Sequence, residues 1–207
     1  DRRSLFHVLK KNLRNGNIKE VYDDDYFQSK LTYQEILDKL VAIDTLEAGI
    51  EQLNAGEELD PQFINRRTIT AAEIRQYRVK GTWYVNKRLG ELKYRLLGIA
   101  PVAPDVYTLD LPEDEQDLVE LFWVWFPDAR KSLNKSQVFN NRNSSQPITY
   151  DHMLNSRRFN SLIYKEENVY EDRKIEEYIF EDALKQLLES ERVKSVIRDF
   201  EQDLWNN

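Results

Sequence analysis

The sequence has 207 residues, 41% apolar and 12% aromatic, enough for a well-filled core and too apolar for a disordered chain. Its 30 Lys/Arg against 37 Asp/Glu give a net charge of −7, which argues against general nucleic-acid binding. With no cysteine and two histidines, His7 and His152, it excludes disulfides, thiolate zinc sites, cysteine nucleophiles and three-histidine metal sites. The longest apolar run, Leu121–Phe126, is far below the roughly 20 residues of a membrane helix. Asp1-Arg2-Arg3 opens directly into an amphipathic segment, with no visible signal peptide, as expected of the ordered part of a mature chain.

From Ser4 to Asn15, Leu5, Val8, Leu9 and Leu13 recur at helical spacing, and Gly16 is the stop. Ile18–Asp23 fits a short strand. Thr32 and Glu35 form a capping box ahead of the stripe Ile36, Leu37 and Leu40. Residues 44–70 have little periodicity and contain Gly49, Gly56 and Pro61, the signature of a long connection with a short helix.

Between about residues 74 and 100 the period becomes two, and a β-hairpin is expected. Tyr77, Val79, Trp83 and Val85, then Leu92, Tyr94 and Leu96, fall on one face. Arg78, Lys80, Tyr84, Lys93 and Arg95 fall on the other, Lys87 and Arg88 stand at the tip, and Gly90 suits the turn. Pro101, Pro104 and Pro112 then interrupt regular structure, and Glu113–Asp117 reads as a solvated loop.

Residues 118–126 are apolar on both faces, which predicts a central strand covered on both sides by helices or by another subunit. Trp123 and Trp125 share one face; Phe122, Val124 and Phe126 share the other. Pro127 and Asp128 open a helix that packs Ala129 and Leu133. A polar loop at 140–147, a short helix beginning at Thr149 and a fourth strand at Phe159–Lys165 follow. The C-terminal part is helical, either two helices separated near Ser190 or one kinked helix. The expected fold is α+β: a small, mostly antiparallel β-sheet flanked by helices, in a single domain over residues 1–207 with a helical C-terminal subdomain at about 170–205.

Charge is polarised along the chain. Residues 66–95 hold nine Lys/Arg against two Asp/Glu; residues 105–120 hold seven acidic residues and no basic one; residues 166–207 hold thirteen acidic against six basic. Mutual neutralisation within the fold explains such blocks, and so does head-to-tail complementarity between copies or with a partner. Ile18–Asp25 and Tyr164–Asp172 echo one another weakly, as charged segments do by chance. No phosphate loop, dinucleotide fingerprint or nucleophile elbow is present. Asp23-Asp24-Asp25 lacks the following ligands of a calcium loop and reads as a charge cluster at a helix start; His152 reads as a surface or partly packed side chain. No catalytic, cofactor or metal site is expected, and the protein is read as a non-enzyme. The candidate partner interface is Arg78, Lys80, Tyr84, Lys87, Arg88, Lys93, Arg95, Trp123 and Trp125.

Four blocks, VKGTWYVNKRLGELKYRLLGIAPVAPD, LFWVWFPDARKSLNKSQVFN, IYKEENVYEDRKIEEYI and LLESERVKSVIRDFEQDLW, resemble in order the GldN/PorN family of Bacteroidetes. The resemblance spans nearly the whole chain and is least marked at 44–70. It implies a non-enzymatic periplasmic subunit of the type IX protein secretion system, which in some species also serves gliding motility. The implied partners are the outer-membrane lipoprotein GldK/PorK, copies of the same chain in a ring, and the GldM/PorM shaft. The implied location is the periplasm, at the outer membrane through the lipoprotein. The alternative from the residues is an envelope module whose basic ribbon engages peptidoglycan or anionic head groups.

Overall fold

The structure, a computed structural model, describes residues 3–46, 52, 54–56, 60–138, 146–169, 172–180 and 182–205. It is an α+β fold with antiparallel sheets and a C-terminal helix. The chain divides into two compact units, Asp1–Gly81 with Leu96–Ser156, and Thr82–Arg95 with Arg157–Asn207.

The first unit opens with α1 (Leu5–Arg14), whose Ser4 side chain caps the His7 amide. Gly16, at φ +68°, ends it as the sequence predicts. Its inner face buries Leu5, Phe6, Leu9 and Leu13. β1 is only Val21–Tyr22. α2 (Tyr33–Leu40) carries the predicted capping box: Glu35 N–H donates to Thr32 Oγ1 and Thr32 N–H to Glu35 Oε2.

The segment expected as a connection, 44–70, holds β3 (Ile64–Thr68) and a 3₁₀ turn at Pro61–Phe63, and β3 pairs antiparallel with β2 (Val41–Thr45), which begins just before that segment. The short strands alternate poorly, so periodicity alone does not reveal them. The helix expected within the connection lies largely outside the described residues, as does most of the polar loop at 140–147.

The main sheet has the order β1-β7-β5-β4, and β6 also pairs with β5. β4 (Gln76–Asn86) and β5 (Glu91–Pro104) are the predicted hairpin; their bases belong to the first unit and their tip to the second. Residues 118–126 are not one strand. They form β6 (Leu118–Glu120) and β7 (Trp123–Trp125), and α3 (Phe126–Asn134) begins at once. Apolar continuity hid the break because Leu121 and Phe122 are buried like their neighbours, while Leu121 N–H still bonds Pro101 O. The part between β1 and β5 is central and covered on both faces, with Phe122, Trp123 and Val124 fully buried. α3 buries Ala129 and Leu133 as predicted. β8 (Gln137–Val138) pairs with β9 (Ile148–Thr149), and Thr149 caps α4 (Tyr150–Asn155).

In the second unit, Phe159–Lys165 forms no strand; among the described residues its ladder contact is the bridge Lys165–Lys174. Side-chain capture replaces strand pairing, since Ile163 N–H donates to Ser190 Oγ at 2.8 Å. Ser190 therefore caps no helix. It is buried within one continuous helix, α6 (Ala183–Trp205), beside Val193. The helical break lies earlier, between α5 (Ile175–Tyr178) and α6, where Asp182 accepts from Lys185 N–H. Among the described residues, no helix is long and apolar enough to cross a membrane.

Gly98 lies opposite Trp125 in the β5–β7 ladder, with Phe27 against it. A Cβ there would meet Phe27 Cε1 at 2.7 Å and Trp123 Cε3 at 3.3 Å. Phe27 is fixed at φ +59° and packs edge-on to Tyr22, Trp123 and Trp125, so its ring has little room to yield. Gly98→Ala is expected to lower stability by about 1–3 kcal/mol in urea denaturation; an unchanged midpoint would show that the ring moves aside freely.

Tyr77 on β4 ties α1 to the sheet, because Phe6 N–H donates to its phenol oxygen at 3.0 Å. Burial pushes that phenol up to about 12; the Phe6 bond opposes the shift and Tyr150 adds to it. Between its ordinary value near 10 and about 12, the unfolded chain releases a proton that the folded chain keeps, so stability falls as pH rises through this window. Tyr77→Phe should flatten part of that alkaline slope, read from urea midpoints taken below and within the window.

Candidate functional site

The residues singled out from the sequence fall into two groups. Arg78, Lys80, Trp123 and Trp125 belong to the first unit; Tyr84, Lys87, Arg88, Lys93 and Arg95 belong to the second.

In the first group, most of the functional promise is used internally. Trp123 is fully buried, a correction to its expected role as a contact residue. Its indole N–H donates to Glu120 Oε2 at 2.5 Å, and Glu120 Oε1 pairs with Arg78. Lys80 lies 3.7 Å from Asp25 and 4.4 Å over the ring of Tyr26. Trp125 is half-buried under Phe27 at 4.8 Å between ring centroids. The sequence reading missed the loop that supplies Asp25, Tyr26 and Phe27. Their contacts are long-range, and only the aromatic pair after three acids marked the loop.

The three acids are not a helix start. Asp23 pairs with Lys39, Asp25 with Lys80, and Asp24 accepts backbone N–H bonds from Tyr26, Gln28 and Ser29. Burial would raise the Asp24 carboxyl, but those bonds hold it below its ordinary value. No cluster of three or more metal-ligating side chains occurs among the described residues. His152 contributes its amide to the Thr149 cap.

The second group is the hairpin tip. Gly90, at φ +63°, closes the turn, and its N–H bonds Asn86 O at 2.9 Å. On one face Trp83 and Tyr94 stack at 5.2 Å, and Arg157, itself at φ +50°, covers both rings at 4.8 and 5.5 Å. Burial pushes the Tyr94 phenol up, and Arg157 opposes the shift. On the other face Arg95 lies 5.3 Å from the Tyr84 ring centroid, and Lys93 pairs with Glu91 at 2.9 Å. Lys87 and Arg88 are exposed and make no ion pair among the described residues. Leu89, overlooked in the sequence, is 59% exposed beside them, and Tyr84 is 39% exposed. The tip thus presents two uncompensated cations next to two apolar side chains.

The acidic segments behave differently from one another. On α6, Asp182, Glu189 and Glu191 pair at i,i+3 with Lys185, Arg192 and Lys194. In the 105–120 loop, Asp110 pairs with Arg67 and Glu113 with Arg75, whereas exposed Asp114, Glu115 and Asp117 make no ion pair among the described residues. Tyr107, Leu111 and Leu118 are exposed around them.

The family model described as "Gliding motility associated protein GldN" matches residues 1–206. The chain belongs to the GldN family. Membership makes this GldN-family chain a component of the gliding-motility and type IX secretion machinery, from a family of structural components rather than a known enzyme family. No curated protein matches the sequence.

Arg78 and Glu120 are both largely sheltered, with side chains 18% and 23% exposed. Arg78→Ala in this GldN-family chain would leave the carboxylate beside the Trp123 indole without its cation, at an expected cost of about 2 kcal/mol. The double variant Arg78→Met/Glu120→Gln should lose less than Arg78→Ala alone, which a denaturation double-mutant cycle reads directly.

Proposed function

We propose that the protein is a non-enzymatic scaffold subunit of a periplasmic ring in the type IX secretion system. It binds the outer-membrane lipoprotein GldK/PorK, copies of itself and the GldM/PorM shaft. The observation that carries this reading is the hairpin tip, with unpaired Lys87 and Arg88 flanked by exposed Tyr84 and Leu89. Cations beside apolar side chains suit a protein interface, where Arg and aromatic residues concentrate binding energy.

A closed ring needs two unlike patches on each copy. The tip supplies one, and the loop bearing Asp114, Glu115 and Asp117 supplies an oppositely charged candidate for the other, with Tyr107, Leu111 and Leu118 around it. The C-terminal acidic helix is the weaker candidate because its first half pairs its own charges and its exposed Asp199 and Glu201 stand beside Arg198. Arg78, Lys80 and Lys93 have carboxylates within the chain, so the basic ribbon is a poor binder of cell-wall polymer. The location follows the same reading: the periplasm, held at the outer membrane by the lipoprotein.

The test is Lys87→Glu/Arg88→Glu in the full chain, with co-purified lipoprotein and self-association both measured at physiological salt. Loss of either, by roughly tenfold or more, is expected when two interfacial charges are reversed. Retention of both would remove the tip from the assembly.

A further inference from the structure

A second basic surface is built within the first unit. Residues 3–19 carry five Lys/Arg and no Asp/Glu. α1 packs beside α3, which adds Arg130 and Lys131, with Lys135 directly after its end. Both helices turn their apolar stripes inward, Leu5, Leu9 and Leu13 on one and Ala129 and Leu133 on the other. Their basic residues therefore face outward. Lys11, Arg14, Lys19, Lys131 and Lys135 are exposed, and none makes an ion pair among the described residues.

The carboxylates next to this surface are already engaged. Asp128 Oδ2 accepts from the amides of Lys19 and Glu20 at 2.6 and 3.0 Å. Asp151 holds Arg130, and Glu20 holds Tyr22 and Lys30. His7 senses the resulting field: burial first, then Arg3, Lys11 and Lys10, pull its proton affinity below the ordinary imidazole value. None of the exposed large apolar side chains of the described residues lies on α1, on α3 or between them and β1.

We propose that the outward faces of α1 and α3 are a docking surface for an anionic phospholipid bilayer, with Lys11, Arg14, Lys19, Lys131 and Lys135 against its phosphates. A protein partner would need apolar anchors to form a desolvated core, and this surface has none. Four of the five cations are lysines, compact point charges that match a field of mobile phosphates better than one fixed bidentate ligand. The surface shares no residue with the hairpin tip, and the proposal does not rest on the scaffold reading.

The experiment is sedimentation of the full chain with vesicles of phosphatidylglycerol and phosphatidylcholine in equal parts, against phosphatidylcholine alone, at low and physiological salt. Binding is expected to the anionic vesicles only and to weaken with salt. Lys131→Gln/Lys135→Gln should lower partitioning roughly 30-fold, at about fivefold per cation, while Arg66→Gln, another exposed unpaired cation, leaves it unchanged. Circular dichroism verifies that each variant is folded. Absence of binding at low salt overturns the proposal, as does equal loss in the Arg66 variant. If the helical-face variant changes self-association and not vesicle binding, the surface takes an acidic protein instead, and the lipid assignment fails. Lipoprotein co-purification is a separate readout, so failure of this proposal and failure of the scaffold reading are distinguishable.

Discussion

The burial of Trp123 is the constraint on which the first unit depends. Its strand lies between β1 and β5, so both of its faces must be covered and its indole N–H must find an acceptor. Glu120 on β6 accepts that proton, and the cost of sheltering a carboxylate is met by Arg78 on β4. One indole thereby sets the relation of three strands. Phe27 closes the tryptophan face, and the missing side chain at Gly98 leaves it room. Phe122 points to the other face and packs against Phe6 of α1, which Tyr77 also holds. The helices that present the second basic surface are thus positioned by the same core.

Sequence polarisation and surface charge are different quantities here. Of the cations in residues 66–95, Arg67, Arg75, Arg78, Lys80 and Lys93 are engaged by carboxylates and Arg95 lies over a tyrosine ring. The exposed pairs among them, Arg75–Glu113 and Lys93–Glu91, contribute little stability, but all of them remove charge from the outward field. What a partner meets is the remainder, which includes Arg66, Lys87 and Arg88 of this block, Asp114, Glu115 and Asp117 of the 105–120 loop, and the cations on and beside α1 and α3. The last group escaped the sequence reading because the basic density at 66–95 drew attention first. The signal was nevertheless available as a run of seventeen residues, 3–19, without one carboxylate.

Features fixed by neighbours in sequence were legible. The Thr32–Glu35 box, the Gly16 stop, the Thr149 cap and the alternation of the hairpin each follow from contacts within a few residues. Features fixed at long range were not. Whether Phe159–Lys165 pairs as a strand depends on a neighbour, and Ser190 takes the Ile163 amide instead. A serine between Leu188 and Val193, where the apolar spacing widens to five, looks like a cap, but a buried serine inside a helix can equally serve an incoming segment. The break at Leu121 was invisible because burial, not pairing, decides composition in a covered strand. For the candidate site, the cations of the ribbon are legible in the sequence but their partners are not, since Asp25 and Glu120 lie far from them in sequence.

The apolar surroundings of each residual charge separate the surfaces more sharply than charge itself. Screened attraction is common to protein, polymer and lipid contacts, so sign alone selects no partner. The tip has Tyr84 and Leu89, and the acidic loop has Tyr107, Leu111 and Leu118, which give each a core to desolvate against another protein. The α1–α3 face has cations and no such core. A GldN-family chain with the scaffold and lipid-docking roles proposed above would need both kinds of surface, and the division follows residue type rather than net charge. Exposed Leu184, Leu187 and Leu188 lie in the first half of α6, where Glu189 and Glu191 are paired and Lys185 is held by Asp182, whereas exposed Arg198, Asp199 and Glu201 farther along make no ion pair among the described residues. The first half of α6 therefore offers apolar area with little residual charge beside it, whereas the tip and the loop join apolar area to a charge pattern that rejects like-charged partners.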